Sequence, residues 1–237
     1  MENLPLGVYL IPVTLGSTPL SQVLPSYNTE IITNIRHFIV EEVRTARRFL
    51  KTVDKNIDID QLTFYPMGKH TDSTQFQQYL APLQQGESIG VISEAGCPAI
   101  ADPGSKIVAI AHNMGITVIP LVGPSSIILS LMASGFNGQN FAFHGYLPID
   151  PGSRMAKIKK MEERIRTENQ TQIFIETPFR NNQLFEELTR TCRNSTKLCV
   201  AANITCPDEF IKTKSIEAWK KGKAPALHKI PTIFLLG

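Results

Sequence analysis

The stretch "VISEAGCPAIADPGSKIVAIA", residues 91–111, passes from an apolar strand-like run, through two glycines and two prolines, into an apolar helix-like run. Physically it is one strand–loop–helix unit. Its connection, Ser93 to Pro103, exceeds the roughly two to six residues that such loops usually take, which marks it as a loop that binds something. Gly96 lets the backbone approach a ligand with no Cβ in the way. Pro98 and Pro103 stiffen the path, and Asp102 before Pro103 reads as a helix N-cap followed by a first-turn proline.

The same unit recurs on the N-terminal side. "GVYLIPV", "RHFIVE", "LTFYPM", "SIGVIS" and "TVIPLV" read as strands, with helical patterns near 19–33, 43–52, 73–83 and 104–114 between them. Strands that are apolar almost throughout, alternating with helices, predict a mostly parallel sheet covered on both faces. After a helix at "PSSIILSLMASG" the order changes. "NFAFHGYLP", a charged helix near 153–168, "TQIFIET" and a helix near 179–192 are followed by "KLCVAANI", "EFIKTKS" and "PTIFLLG", which predicts a mixed sheet. The junction falls near Pro120–Pro124. The chain is therefore read as α/β, with an N-terminal domain over 1–120, a C-terminal α+β domain over 121–237 and a cleft between them.

Composition narrows the function classes. A chain of 237 residues that is 42% hydrophobic can bury one large core or two modest ones. Apolar stretches such as "SIILSLMASG" fall well short of the roughly 18 residues of a membrane span. "MENLPLGVYLIPV" has no basic residue ahead of its apolar run and reads as a first strand, not a secretory leader. The expectation is a cytoplasmic protein with no membrane partner. Cys192, Cys199 and Cys206 are spaced seven apart, with Cys97 far upstream and no CxxC pair, so free thiols and no metal are expected. A net charge of +3 permits an anionic partner without demanding one.

The common nucleotide-binding patterns do not explain the 91–111 loop. There is no GxxxxGK[ST], and no GxGxxG follows the first strand. "EAGCPAIADPG" is faintly similar to the acidic-Gly-x-Gly turn of Rossmann-type methyltransferases, but Pro98 stands at the second glycine and the loop follows the fourth strand. A second turn, "LVGPSSIILSLMASG", sets Gly123-Pro124-Ser125-Ser126 at a strand-to-helix junction, where hydroxyls and the free amides of a helix start converge.

"SEAGCPAIADPG" followed by "GITVIPLVGPSS" resembles the paired signature of the tetrapyrrole methylase superfamily, in its bacterial 16S ribosomal RNA cytidine 2′-O-methyltransferase branch. "FIVEEVRTARRFL", "FHGYLP" and "IFIETPFR" resemble further segments of that family in the same order. There are departures. Glu94 and Cys97 stand where the family has Asp and Thr, "PVTLGSTPLSQV" lacks the family's Asn-Leu-x-Asp, and "ANIT" lacks its Arg and Glu.

The resemblance implies two α/β domains with S-adenosyl-L-methionine held in the cleft, in a homodimer. It places the cofactor against Pro12, Val13, Gly96, Cys97, Pro98, Ile100, Ser125, Ser126 and Ile127, and against Ile175, Ala201, Asn203, Pro231 and Thr232. It implies ribosomal RNA or the small ribosomal subunit as partner. A sulfonium methyl is already electrophilic, so the protein must chiefly orient and deprotonate an acceptor hydroxyl. The candidates for that work are Glu41, Glu42, Arg44, Glu94 and Glu176, with Arg180 as a further anion holder. Basic residues gather at Arg44, Arg47 and Arg48, which share a helical face, at Lys157, Lys159 and Lys160, and at Lys220, Lys221 and Lys223. Three readings stay open on sequence: a methyltransferase acting on ribosomal RNA, one acting on a small molecule such as a tetrapyrrole, and a cofactor-binding protein without turnover.

Overall fold

The apolar runs of the first half become strands with alternate residues on opposite faces. In the computed structural model, which describes residues 4–68 and 71–237, β1 (Val8–Ile11), α1 (Leu20–Val23), α2 (Ser26–Thr33), β2 (His37–Val40) and α3 (Val43–Val53) are followed by β3 (Thr63–Pro66), α4 (Ser73–Tyr79), β4 (Ile89–Ile92), α5 (Gly104–Asn113) and β5 (Val118–Pro120). The five strands form one parallel sheet in the order β3-β2-β4-β1-β5. Tyr9, Ile11, Phe38 and Val40 pack on one face with Ile31, Ala46 and Leu50. Val8, Ile39, Ile89 and Val91 pack on the other with Phe76, Leu80, Ile107 and Ala111. A two-residue period feeding two helical layers explains why these strands read as unbroken apolar runs.

The second half continues with α6 (Ser126–Ser134), β6 (Phe141–Tyr146), α7 (Pro151–Glu168), β7 (Thr171–Ile175), α8 (Asn181–Thr191), β8 (Lys197–Ala202), β9 (Phe210–Ser215), α9 (Ile216–Lys221) and β10 (Thr232–Leu236). Its sheet runs β6-β7-β10-β8-β9, with β6 and β7 parallel and the remaining pairs antiparallel. Phe174, Val200 and Phe234 pack against Ile158 and Met161 of α7, Leu184 and Leu188 of α8 and Trp219 of α9. The Trp219 indole donates to Leu198 O at 2.9 Å, which satisfies its one polar atom. A buried ion pair, Arg154–Glu187 at 2.7 Å, joins α7 to α8, and Arg154 also donates to Pro148 O and Ile149 O. The chain divides into two units, Met1–Ser125 and Ser126–Gly237.

Three local expectations differ from the structure. The helix expected over 19–33 is two helices, because Pro25 cannot continue α1 and instead precedes the first residue of α2. α9 follows β9 directly and was not expected. Asp102 stands one residue before the N-cap: Pro103 takes that position, while the Asp102 carboxylate accepts from Gly104 N at 2.7 Å and Ala99 N at 2.9 Å. Among the described residues no helix is long and apolar enough to cross a membrane.

Candidate functional site at the carboxyl ends of the first sheet

In the first unit β1 and β4 lie side by side, yet β1 leads away to β2 and β4 leads the other way, to β5. The loops leaving two adjacent strands in opposite directions open a crevice at their carboxyl ends, which is where ligands bind in open parallel sheets. The 91–111 loop sits at this point. Val13 and Gly96 form a bridge in which Val13 N donates to Gly96 O at 3.0 Å, tying the loop after β4 to the loop after β1. Cys97 Sγ lies 3.4 Å from Pro124 O, which ties it also to the loop after β5, and burial pushes the Cys97 thiol up.

The glycines of this site are required by its own packing. Gly96 has φ +69°, and a Cβ there would lie 3.0 Å from Leu15 Cδ2 and 3.3 Å from Pro124 O. Gly96 therefore seats the loop itself, which adds a physical reason beside the close ligand approach expected from sequence. Further along, Ala99 and Ala101 also have positive φ, 68° and 63°. Left-handed alanines cost about 1–2 kcal/mol each. The Asp102 carboxylate, with its two amide bonds to Ala99 and Gly104, holds them in place. Pro98 is buried beneath the loop and Ile100 is exposed at its outer side.

Three carboxylates approach this loop. Glu41, just past β2, accepts from Glu94 N at 3.2 Å. Burial raises its proton affinity first; the Glu94 amide works against the rise, and the Asp102 and Glu94 charges add to it. Burial likewise raises Asp102, against its two amide bonds. Glu94 Oε1 accepts from Thr45 Oγ1 at 2.6 Å. Glu42 is turned to another task, capping α3 by accepting from Arg44 N at 3.1 Å. Arg44 is exposed on that helix. Arg47 is paired with Asp60 at 2.9 Å, an exposed pair of small energetic weight.

A cavity of about 290 Å³ opens beside these groups, lined by Val13 and Thr14 of the β1 loop, Thr45 and Arg48 of α3, and Ser93 and Glu94 beyond β4, among others. Its hydroxyls and carboxylate suit the hydroxyl groups of a sugar or an ammonium group, and its volume suits part of a larger ligand. Thr45 escaped sequence reading. It lies 49 residues from Glu94, and only the adjacency of β2 and β4 brings the pair together.

In the second unit, Ile175, Ala201, Asn203, Pro231 and Thr232 gather at one end of the sheet. Ile233 pairs with both Ile175 and Ala201, Thr232 pairs with Ala202, and Asn203 N donates to Pro231 O at 3.0 Å. Ala201 and Thr232 are buried in the sheet, while Asn203 adopts a left-handed φ of 48° and donates to Asp208 at 2.6 Å. Ser126 and Ile127 begin α6 and Ser125 precedes it. Glu176 is buried and paired with Arg180 at 2.7 Å. Cys97, Cys192 and Cys199 carry free thiols, and burial pushes Cys192 up to about 12. Among the described residues no group of three or more His, Cys, Asp or Glu side chains could hold a metal ion.

Residues 30–219 match the family model for tetrapyrrole (corrin/porphyrin) methylases. A protein of Buchnera aphidicola subsp. Schizaphis graminum named Ribosomal RNA small subunit methyltransferase I is 29% identical over 219 residues, 90% of this chain and 72% of that protein. Proteins of the same name from Mesorhizobium japonicum and Escherichia coli O157:H7 are 31% and 27% identical over 63% and 84% of this chain. The chain spans 50% and 65% of the length of those two relatives. Among solved structures, the methyltransferase CobJ superposes with a TM-score of 0.65 at 16% identity, over 98% of this chain and 94% of that one. Uroporphyrin-III C-methyl transferase from Thermus thermophilus, solved with S-adenyl homocysteine, superposes at 0.55 and 16% identity, covering 98% and 97% of the two chains.

Proposed function

The chain belongs to the tetrapyrrole (corrin/porphyrin) methylase family, and from that premise we propose that it transfers a methyl group from S-adenosyl-L-methionine to ribosomal RNA, at the ribose 2′-oxygen of a cytidine. The observation that carries the reading is the interlocked set of loops at the carboxyl ends of β1, β4 and β5, with Val13 bonded to Gly96 at the switch point of a parallel sheet. The shared name of the relatives, Ribosomal RNA small subunit methyltransferase I, supports the choice of acceptor.

In this proposal Pro12, Val13, the Gly96–Pro98 turn, Ile100 and Ser125 hold the cofactor. Ser126, Ile127, Ile175, Ala201, Asn203, Pro231 and Thr232 stay in it as further contacts on the strength of the resemblance. The bound cofactor supplies an electrophilic methyl, so no metal is required. Glu41 takes the proton of the acceptor hydroxyl, because burial keeps its carboxyl a better base than an ordinary glutamate. Thr45 fixes Glu94, and Glu94 through its amide fixes Glu41. The arginines along α3 hold phosphates of the RNA.

Homodimerisation and a cytoplasmic location complete the proposal. Ile128 and Met132, four residues apart on one face of α6, are 45% and 74% exposed, an apolar stripe that a second copy would cover. Light scattering on the purified protein tests the dimer.

The test of function is a panel of acceptors with labelled S-adenosylmethionine: small ribosomal subunits lacking the modification, and a set of tetrapyrroles. Label in the RNA supports the proposal. Label in a tetrapyrrole replaces it with the small-molecule reading, and cofactor binding with no transfer to any acceptor replaces it with a protein that binds without turnover.

A further inference from the structure

Phe174, Phe185 and Phe234 belong to the core of the second unit, whereas Phe179 is 66% exposed, well above Phe141 at 39% and Phe210 at 38%. Phe179 stands in the short loop between β7 and α8. The segment 227–230 is clamped to that loop and to the first residues of α8 by three hydrogen bonds: Leu227 N to Asn182 Oδ1 at 2.9 Å, Lys229 N to Pro178 O at 2.9 Å, and Asn181 Nδ2 to Ile230 O at 2.7 Å. The clamp positions the His228 ring edge-on to Phe179, with centroids 6.0 Å apart at 76°, and Lys229 Nζ 5.8 Å from the ring centroid. Lys229 itself has a positive φ of 62°, an uncommon conformation for a side chain of this size. Arg180, the residue after Phe179, bonds Glu176 through Nη2, and its Nε is buried with no hydrogen-bond partner. Among the described residues neither His228 nor Lys229 has an acidic partner within 4.0 Å.

An exposed ring held rigid among basic side chains is poorly suited to an apolar partner, because the cations would be desolvated without compensation. It suits an unpaired nucleotide, which offers a π-face to the ring and a phosphate to the cations. We propose that Phe179 is a stacking platform for one unpaired base of the RNA acceptor, with Lys229 holding the adjoining phosphate. The proposal rests on the RNA reading above. It adds a contact site in the second unit.

The test uses the full chain, a single-stranded RNA of about ten nucleotides and a duplex of the same length. Phe179→Ala is expected to weaken single-strand binding about tenfold, leaving duplex binding and cofactor affinity as they were. Lys229→Gln should weaken binding and lower the salt slope by about one phosphate. Phe179→Trp should retain affinity, and its emission should be quenched by the RNA; Trp219, 3% exposed, gives a constant background. Equal single-strand affinity of wild type and Phe179→Ala overturns the stacking site and leaves the RNA reading standing. Loss of a dimer in Phe179→Ala with RNA affinity unchanged overturns it in favour of an interface between copies. A wild type that binds no RNA at all removes the acceptor reading, and this site with it.

Discussion

Gly123 lies so close to Pro12 that a Cβ built on it would stand 2.2 Å from Pro12 Cγ. The loops after β1 and β5 therefore touch through the absence of one side chain. Gly123→Ala must push them apart, and overpacking of this kind costs about 1–3 kcal/mol. Denaturant unfolding should show that loss in midpoint, and calorimetry should show weaker S-adenosylmethionine binding by the folded variant. Unchanged affinity would separate this contact from the cofactor site.

Gly96 and Gly115 form a matched pair for separating strain from site geometry. Both have φ near +70°, but a Cβ at Gly115 meets nothing within 4 Å, whereas one at Gly96 meets Leu15 and Pro124. Alanine at either position should cost about 1–2 kcal/mol of stability. Only Gly96→Ala should weaken cofactor binding, by about tenfold, or 1.4 kcal/mol. Equal effects on binding at the two positions would mean that backbone strain alone is being measured.

Glu41 gives a pH signature. Burial raises its carboxyl above the ordinary glutamate range, so between the ordinary and the raised value the folded chain binds more protons than the unfolded chain. Stability then falls as pH rises through that window. Glu41→Gln abolishes this contribution, so the mutant should gain stability relative to wild type as pH rises across it. The same substitution should lower the methyl-transfer rate by about 100-fold or more, with cofactor affinity kept. Parallel stability curves would show that Glu41 titrates normally.

The Arg154–Glu187 pair should behave as a buried ion pair does. Arg154→Ala leaves a carboxylate unpaired in the core of the second unit and should cost about 3–5 kcal/mol. The double replacement Arg154→Met, Glu187→Leu should recover much of that loss. Chemical denaturation of the three variants measures both effects.

The parallel sheet was legible in the sequence because strands covered on both faces are apolar throughout and leave a signal that needs no partner. The 91–111 loop was legible because its glycines and prolines break that signal at a fixed place. α9 was not, since Ile216 and Trp219 are the only large apolar side chains in a six-residue helix otherwise rich in lysine, too short for a period to register. The Thr45–Glu94 contact was hidden for a different reason. It depends on β4 inserting between β2 and β1, and no local pattern dictates that order. The role of Gly96 was half visible: its freedom from a Cβ was expected to serve a ligand, and the structure uses it first to fit Leu15 and Pro124.

A methyl on a ribose 2′-oxygen removes the nucleophile by which RNA cleaves itself in alkali, so the position of the transferred methyl can be read by hydrolysis. Small ribosomal subunits lacking the modification should be incubated with the protein and labelled S-adenosylmethionine, and the recovered RNA digested in alkali. The predicted result is label in a single alkali-resistant dinucleotide whose first residue is cytidine, lost in Glu41→Gln. Label in mononucleotides, which would mean methylation of a base, or RNA that stays unlabelled while the protein binds the cofactor, would contradict the account.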